Sequence, residues 1–203
     1  MKDLKNVLLG VLVIATTVLL IFYLLSLNKS TEVSFWESEK IRNEMLEHQE
    51  NLLSINFEME YGMLGVKAPD VLCDDTKLSQ LVSKSPILIY RYADINCNTC
   101  YEAQIEIIQK EFKDEYEKVA ILCSYQEERH FSIFKKMNHI EAPIYRIDYD
   151  AFTWAVQDYE NPYYFVLYPD MSISNVFMPD RTLPKLTQIY LKGIKQLLNN
   201  SDN

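Results

Sequence analysis

Cys97-Asn98-Thr99-Cys100 sets two thiols three positions apart. The pair directly follows a short β-prone run, Ile87-Leu88-Ile89-Tyr90-Arg91-Tyr92, and the turn residues Ala93 to Asn96. A helical pattern follows at once, in which Tyr101, Ile105, Ile108 and Phe112 step by 4, 3 and 4. At such a junction the first cysteine falls at the mouth of a helix. The unpaired N–H groups and the positive end of the helix dipole stabilise an anion there, so the thiol pKa drops below its free value of about 8.5. A thiolate so placed attacks a disulfide, and a second thiol one turn further in resolves the mixed disulfide. This spacing assigns Cys97 as nucleophile and Cys100 as resolving thiol.

Other uses of the pair are weaker. A zinc site needs a second pair, or Cys and His at short spacing. Cys73 and Cys123 are isolated, and His130 and His139 stand nine apart. No metal and no cofactor are therefore expected. A structural disulfide without turnover is the second reading of the pair. Cys123 ends the apolar run Val119-Ala120-Ile121-Leu122 and reads as a buried strand residue. Cys73, beside Asp74 and Asp75, lies in a polar stretch that could expose it, with nothing nearby to activate it. Peroxide reduction needs Pro and Thr ahead of the cysteine in P-x-x-x-T-x-x-C. Counting back from Cys97 gives Tyr90 and Asp94, and from Cys100 Ala93 and Cys97, so that chemistry is not expected.

The elements that must hold the cysteines follow from periodicity. The runs 87–92, 119–123 and 144–147 read as strands. Residues 126–137 read as a helix with Phe131, Phe134 and Met137 inward. Asn161-Pro162 introduces a strand over 163–168, Pro169-Asp170-Met171 a turn, and 172–177 a strand that pairs back. Thr182 is the expected N-cap of a last helix, with Pro184 in its first turn and Leu186, Tyr190, Gly193 and Leu197 on one face. This order predicts an α/β domain whose mixed sheet is covered by helices on both faces.

Ahead of the domain, 7–27 is an uncharged apolar run of 21 residues, long enough to cross about 30 Å of hydrocarbon. It is longer than the apolar core of a cleaved signal and lacks a small-residue exit, so it reads as an uncleaved anchor. Lys2 and Lys5 precede it and Lys29 alone follows closely, which favours the N-terminus inside and the rest outside. Ile41, Met45, His48, Leu52 and Ile55 then give one helical stripe. It reads as a locally packed spacer helix, with a short dimerising coiled coil as the other option. The expected organisation is a tip at 1–6, a transmembrane helix at 7–27, a helical stalk at 28–60 and a domain at 61–203. A net charge of −9 with no basic face argues against nucleic acid as a partner.

These residues resemble the thioredoxin superfamily. They are most similar to its membrane-anchored, extracytoplasmic branch, related to the alkyl-hydroperoxide-reductase and TSA-like and the resident thioredoxin-like proteins. Gly65-Val66-Lys67-Ala68-Pro69-Asp70 resembles that branch's opening strand, and Cys97 to Cys100 its active-site turn. Ala142-Pro143-Ile144 through Asp148 resembles its extra strand, and Asn161-Pro162-Tyr163-Tyr164-Phe165-Val166-Leu167 its proline loop. The resemblance implies a thioredoxin-like three-layer fold with a mixed central sheet. It also implies a cis Pro162 lying against the cysteines, with substrate bound through the main chain at Asn161 and Pro162.

The implied activity is thiol–disulfide exchange on extracytoplasmic protein thiols or disulfides. The implied site is a bacterial inner membrane, crossed once, with the domain in the periplasm or outside. A reductase there would need a membrane electron donor. Three departures stand out. Asn96 replaces the usual Trp, Asn98-Thr99 the usual Gly-Pro, and Tyr90-Arg91-Tyr92 the stretch that carries a buried acid. Arg91 either supports the Cys97 thiolate by charge or snorkels outward, the latter slightly preferred. The departures keep open a redox-inactive binding or scaffold module at the membrane.

Overall fold

In the computed structural model, residues 2–96, 98–152, 154 and 161–201 are described. Their side chains are described as well, apart from those at 2–15, 25–36 and 98–100. Compactness divides the chain into residues 1–51 and 52–203.

Helix α1 (Lys2–Gly62) carries the N-terminal apolar run. Among the described residues no helix is long and apolar enough to cross a membrane. Within 7–27 the described side chains are 16–24, and all are exposed. Of the stripe, Leu52 is buried while Ile41, Met45 and Ile55 are exposed.

In the unit 52–203, a small hairpin of β1 (Leu72–Cys73) and β2 (Thr76–Lys77) precedes the short helix α2 (Leu78–Leu81). Then come β3 (Ile87–Ala93), α3 (Asn98–Glu111), β4 (Val119–Ser124), α4 (Glu128–Met137) and β5 (Ile144–Arg146). β6 (Tyr163–Leu167), β7 (Ile173–Phe177) and α5 (Pro184–Ser201) close the unit. The sheet order is β5-β4-β3-β6-β7. β3 runs parallel to β4 and antiparallel to β6, and β7 returns antiparallel to β6. β3 is central, and all its residues are buried. That is why its sequence is apolar and aromatic without alternation.

Alternation assigns its two faces. Leu88, Tyr90 and Tyr92 pack with Tyr101, Ile105, Ile108 and Phe112 of α3 and with Leu191, Ile194 and Leu198 of α5. Ile87 and Ile89 pack with Leu78, Met63, Ile147 and Phe152. Helices α3, α4 and α5 thus serve one face. The other is covered by the last turn of α1, short α2, the β1–β2 hairpin and residues 147–152 and 154, rather than by a full layer of helices as the element order predicts.

Several smaller expectations are corrected. Residues 65–70 form a single bridge, Lys67 to Ser172, and not a strand. Asp70 instead accepts from the Ser79 N–H at 2.9 Å, at the start of α2. Met137 is exposed, because it ends α4 beyond the aromatic contacts made by Phe131 and Phe134. α5 buries Thr187, Leu191, Ile194 and Leu198; Leu186, Tyr190 and Leu197 only flank that stripe. Thr182 does not adjoin α5. Its N–H and hydroxyl donate to the Asp180 carboxylate instead, a local turn that competes with capping.

Candidate functional site

The carboxyl ends of β3 and β4 build the site. β3 ends at Ala93, and α3 begins at Asn98. Residues 94–96 turn away from the strand between them. Cys97 lies outside the described residues; in sequence it directly precedes the first helical residue. Cys100 is the third residue of α3, with its side chain outside the description. Asn98 to Cys100 thus form the first turn of α3. A buried apolar face, Tyr101, Ile105, Ile108 and Phe112, pins α3 to the sheet with its N-terminus at this edge.

The turn itself is held by side chains that sequence reasoning passed over. Asn96 is 8% exposed. Its Oδ1 accepts from the Ala93 N–H at 2.7 Å, and its own N–H donates to the Ala93 carbonyl at 3.0 Å. Asp94 ties the turn to the neighbouring loops. Its N–H donates to the Ser124 carbonyl at 2.9 Å, and its carboxylate accepts from the Gln126 N–H at 3.1 Å and from the Tyr149 hydroxyl. The only sequence signal was an Asx-type residue next to a turn.

Arg91 does not snorkel. It is 0% exposed, because a residue of the central strand has no route to water. Its Nη2 donates to Ser124 Oγ at 2.8 Å, and its Nη1 donates to the Tyr92 carbonyl. Ser124 Oγ in turn lies within bonding distance of the Ile147 and Asp148 carbonyls, at 2.9 and 3.0 Å. Alternation puts Arg91 on the sheet face away from α3, with its charge drawn to the same end of the sheet as the turn.

Asn161 and Pro162 come to this end through the β3–β6 register. Arg91 pairs with Tyr163, so the register continued by one residue sets Pro162 opposite Tyr92, and by two Asn161 opposite Ala93. Asn161 is exposed and Pro162 half-buried. Among the described residues no peptide bond is cis, so Asn161–Pro162 is trans. The trans isomer is the lower in energy by about 0.5–1 kcal/mol, and Pro162 leads straight into β6 as a strand-initiating proline. Trp154, at the same end, donates to the Tyr163 hydroxyl at 3.0 Å and stacks on Phe152.

The other two cysteines are buried. Cys123 is fully buried, its Sγ 3.3 Å from the Tyr145 carbonyl, and burial raises its pKa. Cys73 is buried as well, contrary to its polar sequence neighbours. Burial, with Asp74 and Asp70 nearby, pushes its pKa up to about 12. Both are free thiols. Among the described residues no cluster of His, Cys, Asp or Glu could hold a metal.

No family model matches the chain, and no curated protein matches it. Solved structures do. A candidate protein disulfide isomerase from Bacteroides thetaiotaomicron aligns with a TM-score of 0.50 at 18% identity, over 66% of this chain and 89% of that one. A thiol:disulfide interchange protein from a Bacteroides species aligns with a TM-score of 0.48 at 12% identity, over 68% and 97%. The fold is thioredoxin-like: a βαβ unit and a ββα unit share one mixed five-stranded sheet.

Proposed function

We propose that this protein is a thiol–disulfide oxidoreductase that works through Cys97 and Cys100 on protein disulfides outside the cytoplasm. One observation carries the reading. A buried, central strand delivers the chain to the N-terminus of α3, whose first turn holds Asn98, Thr99 and Cys100, at the sheet end where Asn161 and Pro162 lead into the next strand.

The exchange balances within the pair and its substrate. The Cys97 thiolate attacks one sulfur of a substrate disulfide. A Cys97–substrate S–S bond forms, the substrate S–S bond breaks, and the leaving sulfur takes up a proton. The Cys100 thiolate then attacks Cys97 Sγ. The Cys97–Cys100 disulfide forms, and the second substrate sulfur leaves and is protonated. Two electrons and two protons pass from the pair to the substrate. The reverse sequence oxidises a substrate dithiol. Turnover as a reductase needs an external dithiol donor, and a membrane protein that carries electrons is the class implied outside the cytoplasm.

Asn161 and Pro162 would bind the substrate main chain beside Cys97. Arg91 would lower the Cys97 pKa through its charge. Residues 7–27 would anchor the chain in a bacterial inner membrane, supported by their length and lack of charge.

Insulin reduction by wild type and Cys97→Ser tests the activity. The wild type reduces insulin and Cys97→Ser does not. A wild type without activity would favour the redox-inactive binding module, a reading fed by Asn96 and Arg91 standing where the family carries Trp and an acid. Carbonate extraction tests the anchor: the full chain stays with the membrane pellet, and release into the wash would contradict it.

A further inference from the structure

Helix α3 buries one polar side chain behind the cysteines. Gln104 is 3% exposed and follows Cys100 by four residues in the same helix. Positions four apart share one face of a helix, one turn from each other. An amide left unpaired in the core is costly, and this one is paired. The Tyr164 hydroxyl donates to Gln104 Oε1 at 3.0 Å. Tyr164 lies in β6 opposite Tyr90, with its ring 4.6 Å from that of Tyr90 and 5.7 Å from that of Tyr190. Burial keeps the proton on this hydroxyl, so it serves as the donor. The amide is thereby oriented: its carbonyl is engaged by β6, and its nitrogen carries two N–H groups to give elsewhere. Among the described residues the buried polar or charged side chains are Arg91, Asn96, Gln104, Ser124 and Thr187, and none is a carboxylate. Arg91 and Ser124 bond to each other on the sheet face away from α3, Asn96 closes the turn, and Thr187 belongs to α5. Of the five, Gln104 is the one on α3.

We infer that Gln104 is a catalytic residue of the second exchange, its amide N–H donating to the Cys100 sulfur as that sulfur becomes a thiolate and attacks Cys97. Tyr164 is the positioning residue that turns the amide. This rests on the oxidoreductase reading and deepens it. In the step concerned, the Cys100 thiol gives its proton to water. The Cys100–Cys97 S–S bond forms, the Cys97–substrate S–S bond breaks, and the leaving substrate sulfur takes a proton up. A hydrogen bond to the charged form of a group favours that form, so the amide assists the thiolate where no buried acid stands to take its proton. The first exchange does not draw on Gln104, because the anion at position 97 is served by the helix N-terminus.

The test separates the two exchanges within one reaction. The reagent 2,2′-dithiodipyridine releases one pyridine-2-thione when Cys97 attacks it and a second when Cys100 displaces the mixed disulfide. Stopped-flow absorbance therefore reads both phases. Gln104→Met keeps the length and bulk of the side chain and removes the amide. The second phase slows about tenfold, the worth of one hydrogen bond to an ionised group, while the first holds its rate. Tyr164→Phe slows the same phase by a smaller factor. The double variant is no slower than Gln104→Met, because the two side chains act as one unit. If Gln104→Met does not fold, Tyr164→Phe, which keeps the ring, decides alone. Both phases slowed alike, or neither slowed, in a folded variant overturns the inference and leaves the oxidoreductase reading standing. A wild type that releases fewer than two thiones overturns that reading itself.

Discussion

Cys97 and Cys123 show how position decides the chemistry of one residue type. Cys123 is a strand residue in the core, where burial holds the proton on, and Cys73 is held the same way near pKa 12. A thiol at the start of a helix is held the opposite way, because exposed N–H groups favour the anion. The expected outcome is site-selective alkylation. Iodoacetamide at pH 7.5 labels the native reduced protein at Cys97, and mass spectrometry finds Cys73 and Cys123 unmodified until the protein is denatured. Labelling of Cys73 in the native state would contradict its burial.

Arg91 makes a second prediction at this scale. Replacing it with methionine keeps the packing volume and removes the charge. The Cys97 pKa, read from the pH dependence of alkylation, then rises, and no change would remove Arg91 from the mechanism. The sequence placed Arg91 on the right strand but could not fix its burial. Alternation cannot separate the two faces of a strand that is buried on both, and the long Arg stem is compatible with either.

At the scale of elements, the strand–turn–helix unit was legible because its signals agree. An apolar run stops at Asp94, and the helical period restarts at Tyr101. The β6–β7 hairpin and α5 were legible for the same reason. What stayed hidden depends on contacts far apart in the chain. The last turns of α1 are an example. Asn56 Oδ1 accepts from the Met178 N–H at 2.5 Å, and its Nδ2 donates to the Met178 carbonyl at 3.3 Å. Glu60 accepts from the Asn175 N–H at 3.0 Å and from the Val176 N–H.

Two side chains one helical turn apart thus occupy main-chain groups of β7, the edge strand of the sheet, and of Met178 just beyond it. Open strand edges invite pairing with other chains. Asn56→Ala and Glu60→Ala should each cost about 1–3 kcal/mol in urea unfolding, the range for neutral and charge-assisted bonds left unmade. A loss near zero for both would mean that the clasp contributes nothing. The strand that the resemblance implies over 65–70 shrinks to a single Lys67–Ser172 bridge for a related reason. Pro69 two residues on lacks the donor a longer ladder would need.

At the scale of the whole molecule, a mixed sheet with a closing antiparallel hairpin follows from the order of elements, and the sequence reached both. The coverage of the second face did not follow. A four-residue helix, a small hairpin and the stretch after β5 replace the expected layer, and no periodic signal marks such irregular packing. The buried aromatic core has a consequence for the whole fold. Burial raises the pKa of Tyr92, Tyr164 and Tyr190 above 10.0, and that of Cys73 from 9.0 to about 12.

A folded pKa above the unfolded one means the folded state binds the proton more tightly. That stabilisation is complete below pH 9 and drains away as the pH climbs from 9 towards 12. The melting temperature should therefore hold through pH 8.5 and fall steeply above pH 9.5. A flat profile to pH 11 would mean that these groups titrate as freely in the native protein as in the unfolded chain.

The account turns on which sulfur attacks and which resolves. Cys100→Ser removes only the resolving thiol, so a peptide disulfide mixed with this variant should be caught as a covalent adduct at Cys97. Dithiothreitol should release it, and Cys97→Ser should form none. No adduct, or one carried by Cys73 or Cys123, would contradict the mechanism.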